Sequence, residues 1–416
     1  MTSQPDQARP DQARPDQARL GQAEFIALIA MLFATIALSI DAMLPAFPDI
    51  TRTLTPDNPN RVQWVISSLF LGMGLATLFV GPLSDAYGRK PVLMACGAIY
   101  VLACVGCYFA TSFEMLIAFR LIMGVGIAGP RTVSLALVRD LYMGREMARI
   151  MSFAMMIFMV VPAIAPLMGQ AVIAVSNWHM IFLVYILFNG TAMLWLGLRQ
   201  PETLPKPQRI PLAAPTLMAA ARDLFSRKVI LISIVIQGMV SASLVATISS
   251  IQLIFEKAFD RADSFPLWFA LIACLAAGGS FLNSRVVMRA GMRKVVNVTF
   301  AVVLGITLVH LGLRLAFDLP DLLSFTLFIG WIVCLFGMMG LTMGNLNALA
   351  MEPVGHIAGF AASMIGALST VLSVVLSAPI ALAFDNTPVP LIAGAAALLA
   401  ASLGLMRFAG PGRGQA

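Results

Sequence analysis

Gly81-Pro82-Leu83-Ser84-Asp85-Ala86-Tyr87-Gly88-Arg89-Lys90 decides how this chain is read. One acid, two bases and two glycines stand between two long apolar segments, residues 62–82 and 91–110. A helix that crosses a bilayer needs about 20 apolar residues, and each segment meets that length. A short polar turn between two such helices belongs at a membrane surface, where water satisfies its charges.

The same reading extends along the chain. Breaks at polar, Pro and Gly clusters leave candidate helices near 25–47, 62–82, 91–110, 113–137, 150–172, 179–198, 229–251, 265–288, 293–315, 322–349, 357–383 and 387–408. The expected fold class is therefore an all-α, multi-pass membrane protein with twelve transmembrane helices. The longest polar connection, 199–228, holds Pro201, Pro205, Pro207, Pro211 and Pro215 among six bases. It separates a six-helix half, 25–198, from a second, 229–408, as expected of transporters built by internal repetition. The stretch Ser284–Lys294 is a degenerate copy of the opening motif that keeps a glycine and the bases but has no acid. Residues 1–24 form a polar tail with three copies of Pro-Asp-Gln-Ala-Arg (5–9, 10–14, 15–19), expected to be disordered, and 409–416 form a short second tail. No secretory signal is expected: the first apolar run is too long and has no small-residue cleavage site.

Composition agrees. The chain is 59 % hydrophobic and 11 % charged, with a mean hydropathy of +0.89. Soluble domains carry about 25 % charged residues, so a soluble fold would lack a polar shell. The net charge of +7 does not indicate nucleic acid, because the bases fall in loops between apolar segments. With the N-terminus placed in the cytoplasm, 20 of the 27 Lys and Arg lie on the cytoplasmic side. The positive-inside rule thus predicts that both termini are cytoplasmic. The five cysteines (Cys96, Cys104, Cys107, Cys274, Cys334) lie in apolar runs with no ligand partners, which predicts buried thiols and no metal site.

Charges inside a membrane are costly and usually functional. Asp41 lies deep in the first helix and Arg120 in the fourth, both roughly 10 Å below the far surface. They could meet in a central cavity, where a carboxylate with little water and a mobile cation partner has a tunable pKa. The alternative is a static structural pair. Arg131, eleven residues after Arg120, returns to the same face of the fourth helix. It could bind an anionic substrate group or hold an inner gate; alternatively it snorkels to the cytoplasm or pairs with Asp140. Asp85 and Asp140 end the second and fourth helices on one side and could form inter-helix salt bridges that close the inner face. The second half contains amides and hydroxyls in place of central charges, among them Gln237 and Asn345, candidates for a substrate cavity. His310 reads as structural, and Glu24, Glu114 and Asp318 carry no expected role.

The opening motif resembles the signature loop of the major facilitator superfamily, through Gly81, Asp85, Gly88, Arg89 and Lys90. Three further features resemble that superfamily's drug:proton antiporters: Asp41 with Leu44-Pro45-Ala46, Arg120 with Gly124, and Val138-Arg139-Asp140. The helix-5 run Pro162-Ala163-Ile164-Ala165-Pro166-Leu167-Met168-Gly169 does so as well. The stretch Glu352–Gly359 resembles the bicyclomycin and chloramphenicol resistance subgroup (Bcr/CflA). The resemblance implies the major facilitator fold, two six-helix repeats, and roles by position. Asp41 would exchange protons with substrate and Arg120 would tune it. Gly81, Asp85, Gly88 and Arg89 would govern the inner gate, and Pro162, Pro166 and Gly169 would form the antiporter element. Met123 stands where the family often has Gln, and Arg131 has no counterpart in the family pattern. Arg131 biases the expected substrate toward something anionic or zwitterionic.

The expected function is proton-coupled efflux of small amphipathic drugs or xenobiotics by a monomer in a bacterial inner membrane. H⁺ is the coupling ion, and no cofactor, nucleic-acid partner or ATP-binding domain is expected. The chain is not expected to be an enzyme, since it has no nucleophile–base pair, metal-ligand cluster or phosphate loop. The alternatives are a narrow carrier of an amino acid, peptide or organic acid, or a non-transporting sensor of the same fold.

Overall fold

A computed structural model describes residues 20–210, 212, 218, 222–352 and 358–408. The repeats within 1–19, Pro211 and Pro215 of the linker, Pro353–Ile357 of the Glu352–Gly359 stretch, and 409–416 lie outside the described residues. Twelve helical spans are long and apolar enough to cross a membrane. They are α1 (Gln22–Leu54), α2 (Pro59–Tyr87), α3 (Arg89–Tyr108), α4 (Phe113–Leu141), α5 (Gly144–Val175), α6 (Met180–Arg199), α7 (Lys228–Ala258), α8 (Phe265–Ala290), α9 (Met292–Ala316), α10 (Asp321–Met351), α11 (Phe360–Leu382) and α12 (Val389–Met406). No strand occurs among the described residues, so the chain is a nearly all-helical, multi-pass membrane protein.

These segments are helices because lipid leaves a backbone no other way to satisfy its N–H and C=O groups. The buried hydroxyls follow the same rule. Thr35, Thr77, Thr247, Thr307 and Thr342 each donate to a carbonyl four residues earlier in their own helix. In the second half Ser243, Thr247, Ser369, Thr370 and Ser373, hydroxyls that could have faced a cavity, all donate to backbone carbonyls. Two turns need glycine. Gly88 (φ 109°) joins α2 to α3, and Gly291 (φ 78°) joins α8 to α9, a backbone region that L side chains rarely adopt.

Packing has twofold character. α11 lies along α2, and α8 lies against α5, so equivalent members of the two repeats make the contact between halves. At the end remote from the 81–90 turn, hydrogen bonds shut this seam. Asn60 Nδ2 donates to the carbonyls of Leu382 (3.0 Å) and Phe384 (2.7 Å), and Gln63 Nε2 to that of Ala381 (2.6 Å). Ser250 Oγ donates to Gln63 Oε1 at 2.7 Å, and Gln170 Nε2 to the Asp263 carbonyl at 3.1 Å. At the other end α8 leaves α5: its segment Phe265–Ala276 packs on α5, whereas Gly278–Ala290 packs on α9 and α10. The seam is thus hydrogen-bonded at the remote end; at the end that carries the polar turns α5 and α8 are splayed, while α2 stays on α11.

Of the five cysteines, Cys96, Cys104 and Cys107 are buried as expected, but Cys274 is exposed on the perimeter and Cys334 is half-buried. An apolar run in a membrane protein can face lipid as readily as core, which is why the expectation of burial failed there.

Candidate functional site: a buried acid and arginine above a charged turn

Asp41 ends the regular helix Gln22–Asp41, and the chain then passes through a 3₁₀ turn, Leu44–Ala46, before helix resumes at Phe47. Pro45, which lacks an N–H, suits that break. α5 closes over it. A Cβ on Gly169 would collide with the Ala42 carbonyl, so only glycine allows this approach next to Asp41. Pro166 and Pro162 lie within α5, about one and two turns before Gly169. Asp41 is 5 % exposed and makes no hydrogen bond or ion pair with another described residue.

Arg120 of α4 is wholly buried. Its Nε donates to the Val65 carbonyl at 3.0 Å and its Nη1 to the Ser39 carbonyl at 3.1 Å, with Met123 Sδ 3.6 Å from Nη1. Nη2 is buried without a partner. The expected meeting of Asp41 with Arg120 therefore takes another form. The guanidinium is held by backbone carbonyls of α1 and α2, one of them two residues before Asp41, and no salt bridge joins the two charges. A backbone carbonyl is fixed in place and its dipole does not titrate, so the arginine's partners are constant. Ser39 Oγ and Tyr100 Oη lie 2.6 Å apart, and Tyr185, whose buried hydroxyl has no partner, lies within electrostatic reach of Asp41 and Arg120. Neither tyrosine was singled out from the sequence, where nothing distinguishes them from packing residues.

At the polar turn Arg89 is the hub. Its Nη1 donates to Asp85 Oδ1 (2.5 Å) and to Ser84 Oγ (2.8 Å), and its Nε to Asp140 Oδ2 (3.0 Å). The side chain is only 8 % exposed, which strengthens each contact. Asp140 also accepts from Thr203 Oγ1 at 3.0 Å. Glu202 accepts from the backbone N–H groups of Arg89 (3.0 Å) and Lys90 (3.1 Å), the free donors at the start of α3. Lys90 Nζ donates to the Gly197 carbonyl at 2.7 Å, and the Ile210 N–H donates to the Asp85 carbonyl at 3.0 Å. The bridges of Asp85 and Asp140 thus join α2, α3, α4 and the linker within one half. They do not span the two halves, as closure of the inner face would require. Gly81 does face the other half, against Ser363 Oγ of α11. Glu202 was missed because an acid in a proline-rich linker has no periodicity; its one signal is that it follows directly on α6.

Arg131 neither snorkels nor pairs with Asp140. Its Nη1 donates to Thr370 Oγ1 of α11 at 3.0 Å, across the seam between halves. The other expected cavity residues are dispersed. Met123 is fully buried beside Arg120, Asn345 Nδ2 donates to Asn283 Oδ1 (2.8 Å) and to its own helix, and Gln237 Nε2 is buried without a partner. No hydrogen bond joins these four to one another. Glu24, given no role from sequence, accepts from Arg199 and from Trp195 Nε1 at 3.0 Å, pinning the start of α1 to α6. Among the described residues no cluster of His, Cys, Asp or Glu could hold a metal.

A bundle of twelve spans in two repeats, with a buried acid, a buried arginine and a polar turn, defines a membrane transporter. The Major Facilitator Superfamily profile matches residues 27–378, and the chain belongs to that family. It is 26 % identical over 371 residues to a bicyclomycin resistance protein homolog of Haemophilus influenzae, covering 88 % of this chain and 91 % of that one. It is 27 % identical over 327 residues to the multidrug resistance protein MdtM of Escherichia coli, covering 73 % and 78 %. These relatives support the expected drug:proton antiporter subgroup. The fold resembles that of a D-xylose-proton symporter, with a TM-score of 0.74 at 14 % identity over 92 % of this chain and 97 % of that one.

Proposed function

We propose that the protein is a proton-coupled exporter of small amphipathic drugs or xenobiotics that works as a monomer by alternating access. The observation that carries this reading is Asp41: an ionisable carboxyl buried in the membrane, at a helix break, with no fixed protein partner. A carboxyl locked in an ion pair would be a poor proton carrier; one left free can change charge state with the conformation. Arg120 supports the reading by placing a buried positive charge on the Ser39 carbonyl, two residues before Asp41. When Asp41 is ionised the two charges balance; when it is protonated the arginine's charge stands alone. Proton entry and substrate departure are thereby set against each other. Drug-resistance names among the relatives point to amphipathic cargo.

The base-rich end, with both termini, is assigned to the cytoplasm of a bacterial inner membrane on the positive-inside rule. The splayed end then faces inward, ready to receive substrate, and the Arg131–Thr370 bond is a latch between halves that must part or re-form as they rock. The coupling ion is H⁺, and no cofactor takes part.

The test uses protein reconstituted in liposomes with an imposed pH gradient, a panel of drugs and metabolites, and an internal pH dye. Substrate should trigger proton movement in the wild type, and Asp41→Asn should abolish it while the protein still folds and inserts. Full coupled transport by Asp41→Asn would overturn the assignment. Movement triggered only by amino acids or organic acids would redirect it to a narrow metabolite carrier.

A further inference from the structure

The second repeat carries a feature that transport does not explain. Spans α8, α9 and α10 enclose an apolar groove of about 570 Å³ on the lipid-facing perimeter, lined among others by Leu275, Leu282, Val298, Val302 and Gly337. Leu275, Leu282, Val298 and Val302 are each half-exposed, so the groove opens sideways to the bilayer. Within its lining α8 and α10 touch through glycine: a Cβ on Gly279 would run into the Gly337 backbone, and neither residue projects a side chain into the hollow.

One end of the groove is charged. Lys294 lines it, and Arg285, Arg289 and Arg293 stand within the same turn. No ion pair engages any of the four among the described residues; Arg285 lies over the Phe281 ring at 4.3 Å. No acid occurs between Asp263 and Asp318, and exposed Glu352, at the same end of α10, forms no ion pair with the cluster. From Lys294 to Ile306 along α9 is about 18 Å, close to the roughly 15 Å of one leaflet of hydrocarbon. An apolar trough one leaflet deep, with unpaired bases at the headgroup level only, is complementary to a single molecule type.

We infer that this groove is a binding site for one anionic phospholipid, with an acyl chain along α8–α10 and its phosphate on Lys294 and the adjacent arginines. The zwitterionic lipids of the same bilayer fill the trough less well, because they bring no net charge to the bases. The site is independent of the transport reading: it would hold whether the chain exports drugs or metabolites.

The experiment is native mass spectrometry of the full chain in detergent micelles titrated with phosphatidylglycerol or phosphatidylcholine. Wild type should retain one phosphatidylglycerol in clear preference to phosphatidylcholine. In Arg289→Gln/Arg293→Gln/Lys294→Gln that preference should fall about fivefold for each base removed, the usual weight of one Lys or Arg beside an anionic headgroup. Val302→Trp, which fills the trough, should displace both lipids. Equal retention of the two lipids by wild type would overturn the proposal, as would unchanged preference in the triple variant. Full phosphatidylglycerol retention in Val302→Trp would show only a diffuse charge attraction and also overturn it. Should the triple variant fail to elute as folded protein, Lys294→Gln alone gives the same decision on a fivefold scale.

Discussion

Residues 81–90 and 284–294 occupy the same place in the two repeats, and they have been built for different neighbours. Both turn on a glycine, Gly88 at φ 109°, ψ 157° and Gly291 at φ 78°, ψ 150°. Aligned on those glycines, Asp85 corresponds to Met288 and Arg89 to Met292. The first copy is knitted into protein: Arg89 holds two carboxylates, and Glu202 fills the space a Cβ on Gly88 would need. The second copy faces open surroundings: nothing lies within 4 Å of a Cβ built on Gly291, and Met288 is 88 % exposed. The linker makes this difference. It leaves α6 and folds back onto the first turn, and among the described residues none straps the second turn in the same way. Two copies of one backbone motif therefore carry opposite electrostatics, one neutralised internally and one left as free positive charge at the membrane surface.

The largest effect that would break this contrast is at Arg89. Arg89→Ala strips Asp85 and Asp140 of their shared partner, and should destabilise the first half by about 2–3 kcal/mol, the cost of orphaning charged groups in a partly buried site. Arg293→Ala in the second turn should stay within about 0.5 kcal/mol, as surface changes do. Reversible unfolding in mixed micelles measures both, and equal losses would mean that the turns are not differently anchored. Next in size are the glycines. Gly88→Ala and Gly291→Ala each force an L side chain into a nearly glycine-only region, at about 1–3 kcal/mol. Gly88→Ala must also displace Glu202, so it should be the worse of the two in the same assay. The smallest effect sharpens the comparison from the other side. Met288→Asp/Met292→Arg restores the sequence of the first turn to the second, yet at so exposed a site the new i,i+4 pair should add no more than about 0.5 kcal/mol. A gain of several times that would show that residue identity alone, without the linker, makes the network.

The fold was legible in the sequence because the bilayer sets the length of every span and leaves no alternative to helix. The first turn was legible for a related reason: charged residues between membrane helices have few places to be. The site was legible by residue and not by contact. Asp41 and Arg120 stand out as charges in apolar surroundings, but their relation depends on which carbonyls α1 and α2 present to α4, and that follows from tertiary packing. Arg131 could not be resolved between gate and surface until α11 supplied Thr370. The roles of Glu202 and Glu24 were invisible because each depends on a partner more than 100 residues away.

The seam between α2 and α11 has a kinetic consequence. Gly74 lies against Thr370 and Val371, and Gly81 against Ser363. At these two points glycines of α2 meet small side chains of α11. If the halves rock as proposed, such a surface lets one slide on the other with little to pull apart, and the hydrogen bonds of Asn60, Gln63 and Arg131 across the seam weigh most in the barrier to each stroke. On that reading those bonds act as detents on a rail, and their number and strength set how long each state dwells.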